Sequence, residues 1–545
     1  MKKTHRVVLP FLGLLLSSCS LYTLFGSTSR SEPTPYSEGG NSESLTEIDN
    51  PEGLTKTKMR QTYVDFTANN IYPIDSCPTQ GSIKLLVIPV WFTDSKSFVA
   101  TSKKEQLRDD IATAYFGTEK ETGWHSVKSF YETESEGCLS IDGVVSEWYE
   151  CGIRSSKLYT DEYSEKTSEF VEGAVEWYFS SNPSVDRKSF DSDSDGYLDG
   201  VMMIYACPDY SILPGLTSED QTNMWAYCFW VQDTNLQNVR KPGVNTFFWA
   251  SYDFMYSPSK ALQRTGYSYG SGDTRYAAID AHTYIHEMGH VFGLDDYYDY
   301  GDKGYAPAGC FSMQDMNVGG HDPYSVMAFG WADPYIPTES CTISIRPFQV
   351  NHDLILLTPS WNSCDSPFDE YLLLELYTPS GLNAFDSTHQ YGKKYPVGPN
   401  AAGIRLWHVD ARMIGVNDST YGGDPVYKTQ NITFDCFGKY VYGVVQGFNN
   451  SYESDAFPSP LGSRYESFDL LHLIKADASA PLHDGDALTK YDLFTDGSSF
   501  SMNTYSRQFP NRTTLDSGKS LGWSFSVSIE GNGVNTVAKI DLKKT

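Results

Sequence analysis

The chain has 545 residues, 40% of them hydrophobic and 14% aromatic, enough apolar surface for more than one sizeable core. Its formal net charge is −28, from 41 Lys and Arg against 69 Asp and Glu. So acidic a surface argues against nucleic acid as a partner and suits solubility with bound divalent cations.

Lys2, Lys3 and Arg6 precede an apolar run over residues 7–16, and the segment closes on Leu16-Ser17-Ser18-Cys19. This resembles a bacterial lipoprotein signal, residues 1–18, with cleavage before Cys19 and lipid attached to that thiol. A plain secretory signal cut elsewhere is the alternative, and both export the protein. The run is too short to span a membrane, and no other candidate span follows. The expected location is extracytoplasmic, with a lipid anchor in the membrane or at the cell surface. Residues 19–60 are rich in Ser, Thr, Glu, Pro and Gly and are expected to form a flexible tether or a removable prosegment.

Apart from Cys19, nine cysteines remain, at 77, 138, 151, 207, 228, 310, 341, 364 and 436. Export permits disulfides, and the odd count leaves at least one thiol over. Cys138 and Cys151 flank an expected hairpin and are the best candidates for a pair. Cys77 is expected to be a disulfide partner or a free thiol rather than a cap on a metal. No CxxC spacing occurs, so cysteines are not expected to hold a metal.

The first core strand is expected at 83–92, IKLLVIPVWF. Helical patterns follow at 103–116, 126–135 and 162–180, with strands at 139–149, 199–206, 224–230 and 246–256. Just before the second of these strands lies Asp191-Ser192-Asp193-Ser194-Asp195-Gly196-Tyr197-Leu198-Asp199. Carboxylates at positions 1, 3, 5 and 9, a glycine for the sharp turn and the Tyr197 carbonyl match the hard oxygens calcium requires. Met202 stands where an EF-hand supplies its bidentate glutamate, so the expectation is a static calcium loop; a solvated acidic turn is the competing reading. Asp484, Gly485 and Asp486 are a weaker cation candidate, better read as a turn.

A helix is expected at 275–292, ending in His286-Glu287-Met288-Gly289-His290-Val291-Phe292-Gly293-Leu294-Asp295-Asp296. Residues four apart on a helix share a face, so His286 and His290 can ligate one zinc ion. Glu287, one step round, can take a proton from a water whose pKa the metal lowers. Gly293 can end the helix in the left-handed conformation and return Asp296 to the metal as third ligand. Asp295 and Asp299 are rivals for that place. The α/β pattern over 61–337 is expected to be the catalytic domain.

Beyond Pro337 short strands recur at 342–345, 353–357, 371–377, 403–409, 470–474 and 523–540, with no long helix and no internal repeat. Residues 338–545 are expected to form a β-sandwich-like region.

The stretch HEMGHVFGLDDYYD resembles the signature HExxHxxGLxDxYD of the immune inhibitor A family of secreted bacterial zinc peptidases. KLLVIPVWFTD at 84–94, SVKSFYETESEGCLSIDGVV at 126–145 and the acidic loop within 190–206 are similar to further family segments. So are Phe311-Ser312-Met313 with Ala328-Phe329-Gly330-Trp331, Gly403-Ile404-Arg405-Leu406-Trp407-His408-Val409-Asp410, and 471–500. The resemblance covers roughly 80–500; the zinc motif is its specific part. It implies a metzincin-like fold with substrate lying across a cleft above the zinc, Met313 as the apolar floor beneath the metal, and Glu287 as general base. Many metzincins carry a tyrosine two residues after that methionine, and here Asp315 stands there. Oxyanion stabilisation then falls to the zinc or to another donor, with Tyr324, His321 and His408 as open alternatives. The expected activity is zinc-dependent hydrolysis of peptide bonds in proteins. The rival, from another class, is a surface adhesin that keeps the peptidase fold without turnover; the intact Glu287, unnecessary for metal binding, argues against it.

Overall fold

The computed structural model describes residues 48–59, 77–159, 165–211, 213, 223–231, 233–270, 279–298, 307–362, 365–392, 395–416, 427–431, 442–445, 449, 469–479, 481–482, 486–509 and 511–545. Cys19, Asp299, Cys364, Cys436, Asp484 and Gly485 lie outside them. Among the described residues no helix is long and apolar enough to cross a membrane.

The run IKLLVIPVWF forms β1 (Gly81–Trp91). It is flanked by β2 (Leu139–Val145) and β4 (Gly200–Tyr205), followed outward from β4 by β6 (Thr246–Ser251) and β5 (Tyr227–Trp230), with β3 (Tyr149–Glu150) also pairing to β1. All these pairings are parallel except that of β5 with β6. A parallel strand covered on both faces needs apolar side chains on both, which is why β1 shows a continuous run rather than alternation. Leu85 and Val87 join a cluster with Ile111 of α1 (Lys104–Phe116), Phe130 of α2 (Val127–Glu134) and Met288. Leu86, Ile88 and Val90 point the other way, to Val171 and Val175 of α3 (Glu165–Ser181).

The expected strand at 139–149 is two strands, both parallel to β1, and the hairpin between Cys138 and Cys151 does not exist. Gly81 N–H donates to the Cys138 carbonyl at one end of β1, and Cys151 N–H to the Trp91 carbonyl at the other. Ten residue steps at about 3.3 Å separate those ends by roughly 33 Å, whereas a disulfide needs Cα atoms within about 7 Å. Both cysteines are free, as are Cys207 and Cys341. The expected strand at 246–256 stops at Ser251, where a 3₁₀ turn (Tyr252–Met255) begins.

In the C-terminal region β8 (Leu354–Leu357), β9 (Glu370–Tyr377), β10 (Gly403–Asp410) and β14 (Leu471–Ile474) form one antiparallel sheet. A second contains β7 (Cys341–Ile345), β15 (Ser499–Ser501), β16 (Trp523–Glu530) and β17 (Val537–Lys544). The expected strand at 523–540 is thus the hairpin of β16 and β17, with Gly531 at φ 87° in the turn. Ile355, Leu374 and Leu406 of the first sheet share one apolar cluster with Ile343, Phe525 and Ile540 of the second. A small third sheet holds β11 (Met413–Val416), β12 (Tyr427–Asn431) and β13 (Tyr442–Val445).

The two regions share a core across the expected boundary at 337. Tyr297, Tyr324 and Met327 cluster with Leu373, Trp407 and Leu473. The last residues of the expected tether are docked on the same seam: Thr57 N–H donates to the Pro334 carbonyl, Lys56 pairs with Asp353 at 2.8 Å, and Met59 is buried. An apolar side chain and an ion pair inside an otherwise polar segment account for the docking.

Candidate metal centre

The histidines sit on α4 (His282–Val291), a shorter helix than the expected 275–292. Residues 271–278 lie outside the described set, and Asp280 Oδ1 accepts the His282 N–H at 3.0 Å, where the helix begins. The other end is a glycine-terminated cap of the kind the motif predicts. Gly293 N–H donates to the His290 carbonyl at 2.9 Å and Leu294 N–H to Gly289 at 3.0 Å, with Gly293 at φ 101°. A side chain there would strain the turn that brings Asp296 back beneath the helix.

One ligand atom each from His286, His290 and Asp296 lies within 4.8 Å of the others. His286 Nε2 is 2.9 Å and His290 Nε2 3.4 Å from Asp296 Oδ1, and the two Nε2 atoms are 3.2 Å apart. Their residues are only 5–6% exposed. The remaining ring nitrogens are held by backbone carbonyls: His286 Nδ1 donates to Met313 O and His290 Nδ1 to Leu294 O, each at 2.7 Å. Each imidazole is thereby turned so that Nε2 faces the shared point. Burial opposes a charge on His290, but Asp296 and Glu287 raise its pKa to about 10. Burial also pushes the Asp296 carboxyl upward, yet the two imidazoles outweigh it and hold the group well below the usual carboxylate range. Negative and positive charge locked together in a buried pocket marks where a divalent cation compensates the carboxylate and displaces the imidazole proton. The donor set fits zinc.

Glu287 is buried beside this point, its Oε2 without a hydrogen-bond partner. Burial raises its pKa, as a proton acceptor working near neutral pH requires. Asp295 is exposed and outside the converging group, so Asp296 is the carboxylate brought in; Asp299 is not described. Cys77 is likewise absent from the group and lies buried in the apolar cluster below β1.

Met313 is fully buried in that cluster, as an apolar floor requires, and its carbonyl orients His286 as well. The sequence reading missed Gln314. A Cβ on Gly289 would lie 2.2 Å from Gln314 Oε1, so the helix admits this amide only because residue 289 is glycine. Gln314 Oε1 in turn accepts from His321 Nε2 at 3.2 Å, and His321 Nδ1 is bonded to Glu134 Oε2. A glycine inside a helix costs about 1 kcal/mol relative to alanine, and that anomaly was the available signal for a close neighbour.

The oxyanion alternatives separate clearly. Both ring nitrogens of His321 are engaged, and His408 lies on β10 bonded to Glu370 at 3.0 Å, so neither presents a donor to the centre. Tyr324 is fully buried in the seam between the two regions. Asp315 is buried and accepts the Cys310 N–H at 2.7 Å; burial pushes its pKa up to about 7.

At the acidic loop, carboxyl oxygens of Asp191, Asp193 and Asp195 lie within 4.8 Å of one another. Asp191 Oδ1 is buried without a partner, and burial together with Asp193 pushes Asp195 up to about 8. Gly196 takes φ 94° in the turn, and Tyr197 N–H donates to Asp195 Oδ1 at 2.7 Å. Asp199 does not join the group. Its Oδ1 accepts from Ser192 N and Oγ at 2.8 and 2.9 Å and its Oδ2 from Lys84 N at 3.0 Å, which ties the loop to β1. Compared with known proteins, the chain matches no protein-family model and no curated protein sequence.

Proposed function

We propose that the chain is a zinc-dependent endopeptidase of the immune inhibitor A-like, metzincin type, exported and held at the membrane or cell surface through lipid on Cys19. The observation that carries this reading is the convergence of His286, His290 and Asp296 with a buried, unpartnered Glu287 oxygen beside them. The mixed parallel sheet behind α4 and the methionine turn at Met313 are consistent with it. His286, His290 and Asp296 would hold zinc, which when bound supplies Lewis acidity and lowers the pKa of a water molecule. The carbonyls of Met313 and Leu294 keep both imidazoles aimed. Glu287, its pKa raised by burial, accepts the proton of the attacking water and returns it to the departing amine nitrogen. Asp191, Asp193 and Asp195, with the Tyr197 carbonyl, would hold a structural calcium ion.

Glu287→Gln tests the chemistry, because an amide keeps the shape and cannot take the proton. Cleavage of casein or a peptide library by the exported protein should fall by at least about two orders of magnitude while zinc stays bound. Parental rates in the variant would remove Glu287 from this role. No cleavage by the parent across a broad library, with zinc bound, would instead favour a non-catalytic surface adhesin.

A further inference from the structure

A second convergence of metal-ligating side chains lies at one end of the sandwich core, in the C-terminal region. In the antiparallel register Asp410 stands opposite Glu370, and His408 lies between Leu372 of β9 and His472 of β14. Directly opposed residues, and those two apart along a strand, share a face. Glu370, His408, Asp410 and His472 therefore project on the same side as Leu374, Leu406 and Ile474, toward the second sheet. The loop at 511–517 and Phe509 close over them: Asp516 N–H donates to Glu370 Oε1, Ser517 N–H to Glu370 Oε2 at 2.9 Å, and the Phe509 ring lies 5.5 Å from that of His408.

One ligand atom each from Glu370, His408 and Asp516 falls within 4.8 Å of the others. His408 Nε2 is 3.0 Å from Glu370 Oε1. Independently of that distance, Asp516 Oδ1 is buried with no hydrogen-bond partner. Three carboxylates, Glu370, Asp410 and Asp516, are gathered here against one guanidinium. Arg412 holds Asp410 through two contacts of 2.7 Å and reaches Glu370 Oε2 only at 3.7 Å. Glu370 and Asp516 are left sharing the single imidazole of His408.

We propose that Glu370, His408 and Asp516 form a second metal site, for zinc or another first-row divalent ion, that clamps the 511–517 loop onto β9 and β10. An imidazole nitrogen among the donors selects against calcium and magnesium, which take oxygen, and suits zinc. Binding releases the His408 Nε2 proton to solvent and puts the ion in its place between the two carboxylates. The site does not depend on the peptidase reading, since it shares no residue with the centre on α4.

The test is a zinc count on the whole exported protein, loaded with Zn²⁺ alone and then dialysed free of excess. The parent should retain about two equivalents, His290→Ala about one, His408→Ala about one, and the double variant close to none. Asp516→Asn keeps the side-chain shape while removing one charge and should also retain about one equivalent; it decides the matter if His408→Ala fails to fold. Zinc should protect the 511–517 loop from proteolytic nicking in the parent and in His290→Ala, and not in Asp516→Asn. A parent with about one equivalent, all of it lost in His290→Ala, overturns the proposal, as does Asp516→Asn with the parental count and protection. Zinc that survives His290→Ala and disappears in His408→Ala would uphold this site and count against the zinc assignment on α4.

Discussion

Gly289→Ala should loosen the metal centre although residue 289 touches no ligand. Its Cβ would stand 2.2 Å from Gln314 Oε1 and 2.6 Å from Cδ, well inside van der Waals contact. An exposed glutamine end would swing aside. Gln314, however, is fully buried, and its Oε1 accepts from His321 Nε2, whose other nitrogen is fixed by Glu134. Moving the amide leaves a buried histidine nitrogen unsatisfied, about 1–3 kcal/mol, in addition to about 1–3 kcal/mol of overpacking. Against these stands about 1 kcal/mol gained from the helix propensity of alanine. The net expectation is a loss of about 1–5 kcal/mol, with weaker zinc retention because Gln314 follows Met313, whose carbonyl aims His286. Gln314→Ala removes the obstruction, so in that background Gly289→Ala should be neutral or stabilising by up to about 1 kcal/mol. Thermal melts of the four proteins form a double-mutant cycle, and zinc retained after dialysis is the second readout. If Gly289→Ala costs the same with and without Gln314, the clash is not what makes residue 289 glycine, and the reasoning fails.

His290→Ala should remove most of the zinc bound at α4 together with activity; a full equivalent retained there by metal analysis would end that assignment. Calcium a hundredfold above its dissociation constant should stabilise the folded chain by about 2.7 kcal/mol, seen as a lower melting temperature when calcium is chelated and zinc resupplied. Asp193→Ala/Asp195→Ala should abolish that difference, and an unchanged calcium response would place the ion elsewhere. His282 is stacked between Trp124 and Tyr391, with centroids 4.0 Å away on each side, and pairs with Asp280 at 2.8 Å and Asp386 at 3.5 Å. Burial opposes its charge, but the two carboxylates raise its pKa to about 9. A raised histidine contributes stability that is complete below about pH 6.5 and lost as pH climbs through about 9, a change of up to about 3 kcal/mol. Urea melts of the parent and His282→Gln between pH 6 and 10 should show that slope flattened in the variant; parallel curves would remove His282 as its source.

Local periodicity carried the strands and helices, and short-range geometry the convergence of His286, His290 and Asp296. His286 and His290 were readable because a helix repeats, and Asp296 because only a glycine at 293 lets the chain double back so soon. Pairing was not readable. Alternation shows that 139–149 is extended, but nothing in it distinguishes a hairpin from two strands laid along β1. Among the described residues α4 starts only at His282: Ile279 and Ala281 continue an apolar pattern, but Asp280 accepts the His282 N–H with its side chain. The segment at 523–540 hid its turn because Gly531 and Gly533 interrupt the alternation only briefly. Glu134 and His321 are 187 residues apart, and Glu370 and Asp516 are 146 apart, beyond the reach of any motif. Asp199 stands apart from Asp191, Asp193 and Asp195 because spacing counts carboxylates without showing which N–H groups they accept from, here those of Ser192 and Lys84.

The segment that carries Met313 takes hydrogen-bond partners from much farther along the chain. Arg405 Nη1 donates to the Phe311 carbonyl at 3.1 Å, Leu473 N–H to Pro307 and Leu488 N–H to Gly309, each at 2.8 Å, and Gly319 N–H donates to Asp386 at 2.7 Å. A chain made from its N-terminus displays the whole HExxH helix long before those partners exist. Met313 then lacks the support that aims its carbonyl at His286, and Tyr324 and Met327 lack the strands that cover them. Assembly order alone thus delays maturation of the centre until the sandwich strands have been synthesised, a form of timing that needs no inhibitory segment. A chain truncated after residue 337 should remain permanently in the immature state.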